Sequence, residues 1–241
     1  MNGVSLGDLA TSFMLRNRGS ALKTEMSRLT QELTSGQVAD VKSVLAGNYS
    51  YLTGIEASLS ILQGHKMATT EAAHFTGSLQ SVLENIQDST SDLGTDLILV
   101  SSGGLDNVAL QTGNEAFEVL KATMSSLNTN IAGRSLFSGA ATDQLALKKA
   151  NDLMTELRNV LVGVNGASSK KTAIQNWFAD PSGFDATIYG GSGIGMSPFQ
   201  LSESEALTVD IKATNPELKD TLKNLAIAAI AADKTLTVNN T

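Results

Sequence analysis

The sequence predicts a mainly α fold: an elongated bundle of long, antiparallel, coiled-coil-like helices plus a small mixed α+β outer domain. Three observations lead there. Apolar residues recur at alternating steps of three and four through the first half of the chain, the period of a helix seam. Aromatic residues make up only 5% of the 241 residues and there are three prolines, poor material for a sandwich or barrel core. Closely spaced glycines and strand-like alternation gather only in residues 183–212.

The first helix is expected over residues 5–35. Leu22, Met26, Leu29 and Leu33 alternate steps of four and three, and Leu6, Leu9 and Phe13 read as extending that stripe towards the N-terminus. Ser5 and Asp8 have the S-x-x-D form of a capping box, and Gly36 stands where the helix should stop. A second helical stretch covers 39–102 in two blocks. Val41, Leu45, Leu52, Ile55, Leu59 and Leu62 form the first; Leu79, Leu83, Ile86, Leu93, Leu97 and Val100 form the second. Between them residues 66–78 are small and polar, so the seam should weaken there. Unbroken, this helix would reach about 95 Å at 1.5 Å per residue. Glycines 47, 54, 64, 77 and 94 lie inside it, each costing about 1 kcal/mol against Ala, so it needs neighbours along its length. Gly103-Gly104 ends the stretch and Asp106 can cap the next. Leu110, Phe117, Leu120, Met124, Leu127 and Ile131 give a third seam, stopped at Gly133. Three such helices in succession imply antiparallel packing into a rod, whose long sides and exposed ends favour lateral association.

After Gly133 the texture changes. Arg134 to Gly139 reads as a short extended segment and turn, and residues 143–164 return to helical spacing. Trp177-Phe178 marks a short helix or turn closed by Asp180-Pro181. Ala206 to Ile211 alternates and is the one segment that reads as sheet. Asn215-Pro216 starts a last helix, with Thr214 and Glu217 set as a capping box and Leu218, Leu222, Leu225, Ala229 and Ala232 on one face.

Composition excludes several function classes. The formal net charge is −7, against broad binding of nucleic-acid phosphates; the local group Arg16, Arg18, Lys23 and Arg28 is interrupted by Asp8 and Glu25 and reads as a solvated helix face. With no cysteine, disulfides and thiolate metal sites are excluded. No apolar run approaches the roughly 18 residues of a membrane span, and the N-terminus lacks the pattern of a secretory signal. His65 and His74 are nine residues apart, roughly 900° of helix rotation, and so face opposite sides. Gly190-Gly191-Ser192-Gly193-Ile194 falls one glycine short of a nucleophile elbow, and the same loop misses dinucleotide and phosphate-loop spacing. No catalytic residue, metal or cofactor is therefore expected. The stripes themselves read partly as intramolecular core; the functional question is whether some stay unpaired until assembly.

Two segments carry a family resemblance. Arg28-Leu29-Thr30-Gln31-Glu32-Leu33-Thr34-Ser35-Gly36 looks like the end of the first helix in bacterial flagellins and hook-associated proteins. Ser126 to Gly139, ending in Gly133-Arg134-Ser135-Leu136-Phe137-Ser138-Gly139, resembles the point where that family's third long helix gives way to a hairpin. Its L-F-S-G form is similar to the junction branch, which links hook to filament, more than to filament-forming flagellin. The resemblance covers residues 5–139; the family's R-I-N segment after the first helix is replaced here by Gln37-Val38-Ala39-Asp40-Val41.

The resemblance implies a structural, non-enzymatic subunit, exported through the flagellar apparatus to the outside of the cell. Its partners would be copies of itself, a neighbouring hook-associated protein, flagellin and an export chaperone, with no nucleic acid and no membrane. The implied domains are a 1–36 N-terminal assembly helix, a 37–139 long-helix core with the start of a hairpin, and a 140–241 variable outer α+β domain. The seam Leu6, Leu9, Phe13, Leu22, Met26, Leu29, Leu33, Leu45, Leu52, Ile55, Leu59 and Leu62 would serve assembly, and Gly133, Arg134, Leu136, Phe137 and Gly139 would be the hairpin motif. Family members end in a long seamed helix that pairs with the first, so such a helix is expected beyond Thr241. A cysteine-free chain also suits threading through a narrow export channel. Two other readings stay open: flagellin itself, and a secreted coiled-coil binding module or adhesin.

Overall fold

The computed structural model describes residues 6–39, 49–101 and 106–233, with side chains from residue 11 except at 101, 106, 107 and 109. The chain divides into two compact units, Met1–Ile61 and Leu62–Thr241. Among the described residues the fold is mainly α, with seven helices and two two-stranded antiparallel sheets.

In the first unit, α1 spans Leu6–Ser35. It ends where the Gly36 amide bonds the Glu32 carbonyl at 2.8 Å. The expected Ser5 cap and Leu45 lie outside the described residues, as does Gly47. Helix α2 spans Ser50–Ser101, so the helix expected from residue 39 begins at Ser50 among the described residues. Its first turns belong to this unit. Gly54, Gly64, Gly77 and Gly94 lie within it without a kink-forming proline.

The second unit holds the core. Helix α3, Asp106–Leu127, buries Ala116, Leu120, Met124 and Leu127 at helical spacing. It packs mainly on α7, Pro216–Ala231, which buries Leu218, Leu222, Leu225, Ala226, Ala229 and Ile230. The approach is close: a Cβ on Gly113 would fall 2.2 Å from that of Ala232. The expected pairing of successive helices is therefore not the main contact; α3 finds its partner more than eighty residues on. The segment of α2 expected to weaken instead supplies core anchors. Ala72 and Phe75 are buried with Leu79, Ile86 and Leu93, and the Phe75 ring lies 5.7 Å from that of Phe199. Local polarity hid them, because the one large ring of Phe75 outweighs several small polar neighbours.

Other expectations shift as well. The third helix stops at Leu127, and Ile131 belongs to β1, Asn130–Ile131, paired with β2, Arg134–Ser135. Ala132 and Gly133 both take positive φ, 51° and 82°, the geometry of a tight two-residue hairpin turn. The helix expected over 143–164 is α4, Ala150–Val160, with Leu147 bridged to Tyr189. Helix α5 spans Ala167–Ala179 and α6 Phe184–Thr187. Trp177, Phe178 and Phe184 form an aromatic cluster, with Phe178 and Phe184 stacked at 5.1 Å. The expected sheet region supplies β3, Phe199–Gln200, and β4, Ala206–Leu207. Helix α7 begins at Pro216 with Asn215 as its cap residue. The expected Thr214–Glu217 capping box does not form. The Asn215 side-chain oxygen instead accepts from the Lys212 amide at 3.0 Å, tightening the turn before the helix.

Candidate functional site

Two places concentrate the residues singled out by sequence. The first is the apolar face of α1. Leu22, Met26, Leu29 and Leu33 are all exposed, by 66%, 63%, 50% and 87%. Together they form one stripe, because steps of three and four return to the same side of a helix. Phe13 does not extend it. It lies nine residues before Leu22, roughly 900° of rotation, and so projects from the opposite side. Leu15, seven residues before Leu22 and also exposed, occupies the position that extension would need. The seven-residue spacing Leu15–Leu22–Leu29 was the available signal. The side chains of Leu6 and Leu9 fall outside the described residues.

On α2, Leu52 is half-buried while Ile55, Leu59 and Leu62 are exposed, again along one face. Burying one such side chain is worth on the order of 1.5–3 kcal/mol, so both stripes hold unspent association energy. Arg28 bonds Glu32 at 2.5 Å and reaches Glu25 on the same helix. That hydrogen bond holds the Glu25 carboxyl below the usual range and raises the guanidinium. Glu32 also accepts the Ala39 amide at 2.9 Å, fastening the end of α1. Among the described residues Arg16, Arg18 and Lys23 make no such pairs.

The second place is the hairpin motif. Leu136 and Phe137 are buried, Phe137 completely. The Phe137 carbonyl accepts the Ala213 amide at 3.0 Å, and the Ser138 carbonyl accepts that of Ser192 at 2.8 Å. Gly139, at φ +63°, sits so close to the glycine-rich loop that a Cβ would fall 2.5 Å from the Ile194 carbonyl oxygen. Arg134 pairs with Glu71 on α2 and covers the Phe199 ring. The motif thus ties α2, the glycine-rich loop and the segment before α7 to one hairpin. Glu71 and Phe199 were not legible as its partners, since nothing local links residues so far apart in sequence. Asn128 adds a reciprocal pair of 2.8 Å bonds to the Leu147 backbone.

Ser192 is spent structurally: its hydroxyl accepts the Ile194 amide at 3.1 Å, and its carbonyl accepts the Tyr189 hydroxyl at 3.0 Å. Burial first, then the charges of Asp185 and Asp210, push Tyr189 up to about 12. His65 lies 3.4 Å from the Gln200 carbonyl, and His74 is exposed. Among the described residues no group of His, Asp and Glu is placed to hold a metal, and no helix is long and apolar enough to cross a membrane. Comparison of the chain with family models, curated proteins and solved structures gave no match.

Proposed function

We propose that this chain is a non-enzymatic structural subunit of the bacterial flagellum, the hook–filament junction protein, which links hook to filament by helical assembly. One observation carries the assembly reading: the stripe Leu22, Met26, Leu29 and Leu33 stands exposed along one face of α1. A surface of that kind is a marker of protein–protein association. The flagellar assignment comes from the resemblance of residues 28–36 and 133–139. In this reading copies of the chain, a neighbouring hook-associated protein and flagellin are its partners. An export chaperone attends it, and the export apparatus carries it outside the cell.

Immunogold labelling of flagella tests the assignment. A short band at the filament base is the expected result. Label along the whole filament would make the chain a flagellin, and label absent from flagella would favour a secreted coiled-coil binding module. The assembly role is tested by Leu29→Asp with Leu33→Asp, which should abolish incorporation while leaving the second unit folded.

A further inference from the structure

Asn165 and Gly166 are the one Asn-Gly pair among the described residues. They lie between α4 and α5, in a turn where Gly163 and Gly166 take φ values of 75° and 84°. Both residues of the pair are exposed. Among the described residues no hydrogen bond holds the Asn165 side chain and no acceptor meets the Gly166 amide; the Gly166 carbonyl accepts the Lys170 amide at 3.0 Å. Nothing stands within 4 Å of where a Cβ on Gly166 would be. These conditions favour reaction between neighbours. A glycine has no Cβ to obstruct approach to its nitrogen, and groups tethered in one chain react without a bimolecular encounter. Exposure alone does not select this residue. Asn159 in α4 and Asn176 in α5 are exposed as well, but the amides that follow them belong to helices, whose ladders fix the backbone.

We infer that Asn165 is a site of spontaneous modification, converted to aspartate and isoaspartate with water as the only co-reactant. The Gly166 nitrogen gives its proton to solvent and attacks Asn165 Cγ. The Cγ–Nδ2 bond breaks and Nδ2 leaves as ammonia, closing a five-membered imide. Water then opens the ring at either carbonyl. Breaking the bond between Gly166 N and Cγ leaves aspartate; breaking the bond to the Asn165 main-chain carbonyl carbon leaves isoaspartate. One water is consumed, one ammonia is released, and nothing is oxidised or reduced. The product suits its place. Helix α5 has no acidic residue in its first turn and no side-chain cap at Gly166, and Lys170 and Lys171 follow closely, at the end of the helix dipole that disfavours cations. A carboxylate at 165 supplies the charge that end lacks, so modified chains stay folded and accumulate. The site lies in the second unit and does not depend on the assembly reading.

The test is to incubate the full, folded chain at mildly alkaline pH and follow its digested peptides by mass spectrometry, with enzymatic methylation of isoaspartate as a second readout. A gain of one mass unit is expected at Asn165 and none at Asn159 or Asn176 over the same time. The rate should lie within about tenfold of that of a free peptide of the same sequence, because no local opening is needed first. Native isoelectric focusing should show one added negative charge per chain. Asn165→Gln, whose longer side chain would have to close a six-membered ring, should abolish these signals and leave Tm unchanged. Asn165→Asp should raise Tm by about 1–2 °C through the helix dipole. An Asn165 that stays intact while the free peptide reacts would overturn the inference, as would equal modification of the helical asparagines. A Tm lowered by Asn165→Asp would overturn the benefit assigned to the new charge.

Discussion

The guanidinium of Arg134 lies 5.9 Å from the centre of the Phe199 ring while the same side chain pairs with Glu71. One residue of the hairpin thereby holds a strand from the far end of the chain and a turn of α2. Because the pair is largely exposed, its ionic part is worth only about 0.2–1 kcal/mol; the stacking adds a similar amount. Arg134→Ala should cost about 1 kcal/mol and lower Tm by about 2–4 °C, measured by circular dichroism. Arg134→Lys keeps the charge but not the planar face, and should fall between. A parent-like Tm for the alanine variant would mean that the contact contributes nothing.

Gly139 combines a left-handed backbone with a carbonyl oxygen 2.5 Å from where a Cβ would stand. Gly139→Ala should therefore destabilise the second unit by about 2–4 kcal/mol, strain and displacement of the glycine-rich loop both contributing. Urea titration reads this directly. Gly193→Ala, at a site with open space around it, is the control and should be near neutral.

Phe137 is fully enclosed, and removing its ring leaves a cavity that a close-packed core cannot refill. Phe137→Ala is expected to cost about 3–5 kcal/mol. Phe13→Ala, at an exposed position, should leave stability within about 0.5 kcal/mol. Equal losses at the two positions would contradict the burial described for them.

Leu33 is 87% exposed, so Leu33→Asp should not lower the Tm of the second unit at all. On the proposed assembly reading its effect falls on association: sedimentation should show self-assembly lost together with any concentration-dependent gain in stability. Destabilisation of the isolated subunit would instead indicate an intramolecular role.

Tyr189 titrates up to about 12, above its ordinary value of 10.0, because burial and two nearby carboxylates disfavour the phenolate. The folded state prefers the neutral form. Its contribution to stability is thus complete below the unfolded value and is lost as pH rises from about 10 to about 12. Phenolate absorbance should show one tyrosine ionising near the upper end of that window. Tyr189→Phe should remove that component and flatten the alkaline loss of stability.

The seams of α1 and α3 were readable because helical periodicity is a relation among near neighbours. Leu22 to Leu33 and Leu120 to Leu127 carry it in the sequence itself. Phe13 shows the limit of reading apolar residues without tracking rotation: it looked like part of the stripe and faces away. Phe75 shows another limit, since its importance comes from Phe199, and no local pattern announces a contact across more than a hundred residues. The hairpin motif stood out as a string, but its partners Glu71, Ser192, Ile194 and Ala213 did not.

By itself, then, the sequence determined that long helices form and which of their residues share a face, because backbone geometry and side-chain spacing act within a few residues. Tertiary structure decided which of those faces are covered. Residues 120–127 and 218–230 bury each other, whereas Leu22 to Leu33 remain exposed. The two sets have the same spacing and the same chemistry. Burial depends on a partner elsewhere in the chain being brought into reach, and only the folded arrangement supplies or withholds it.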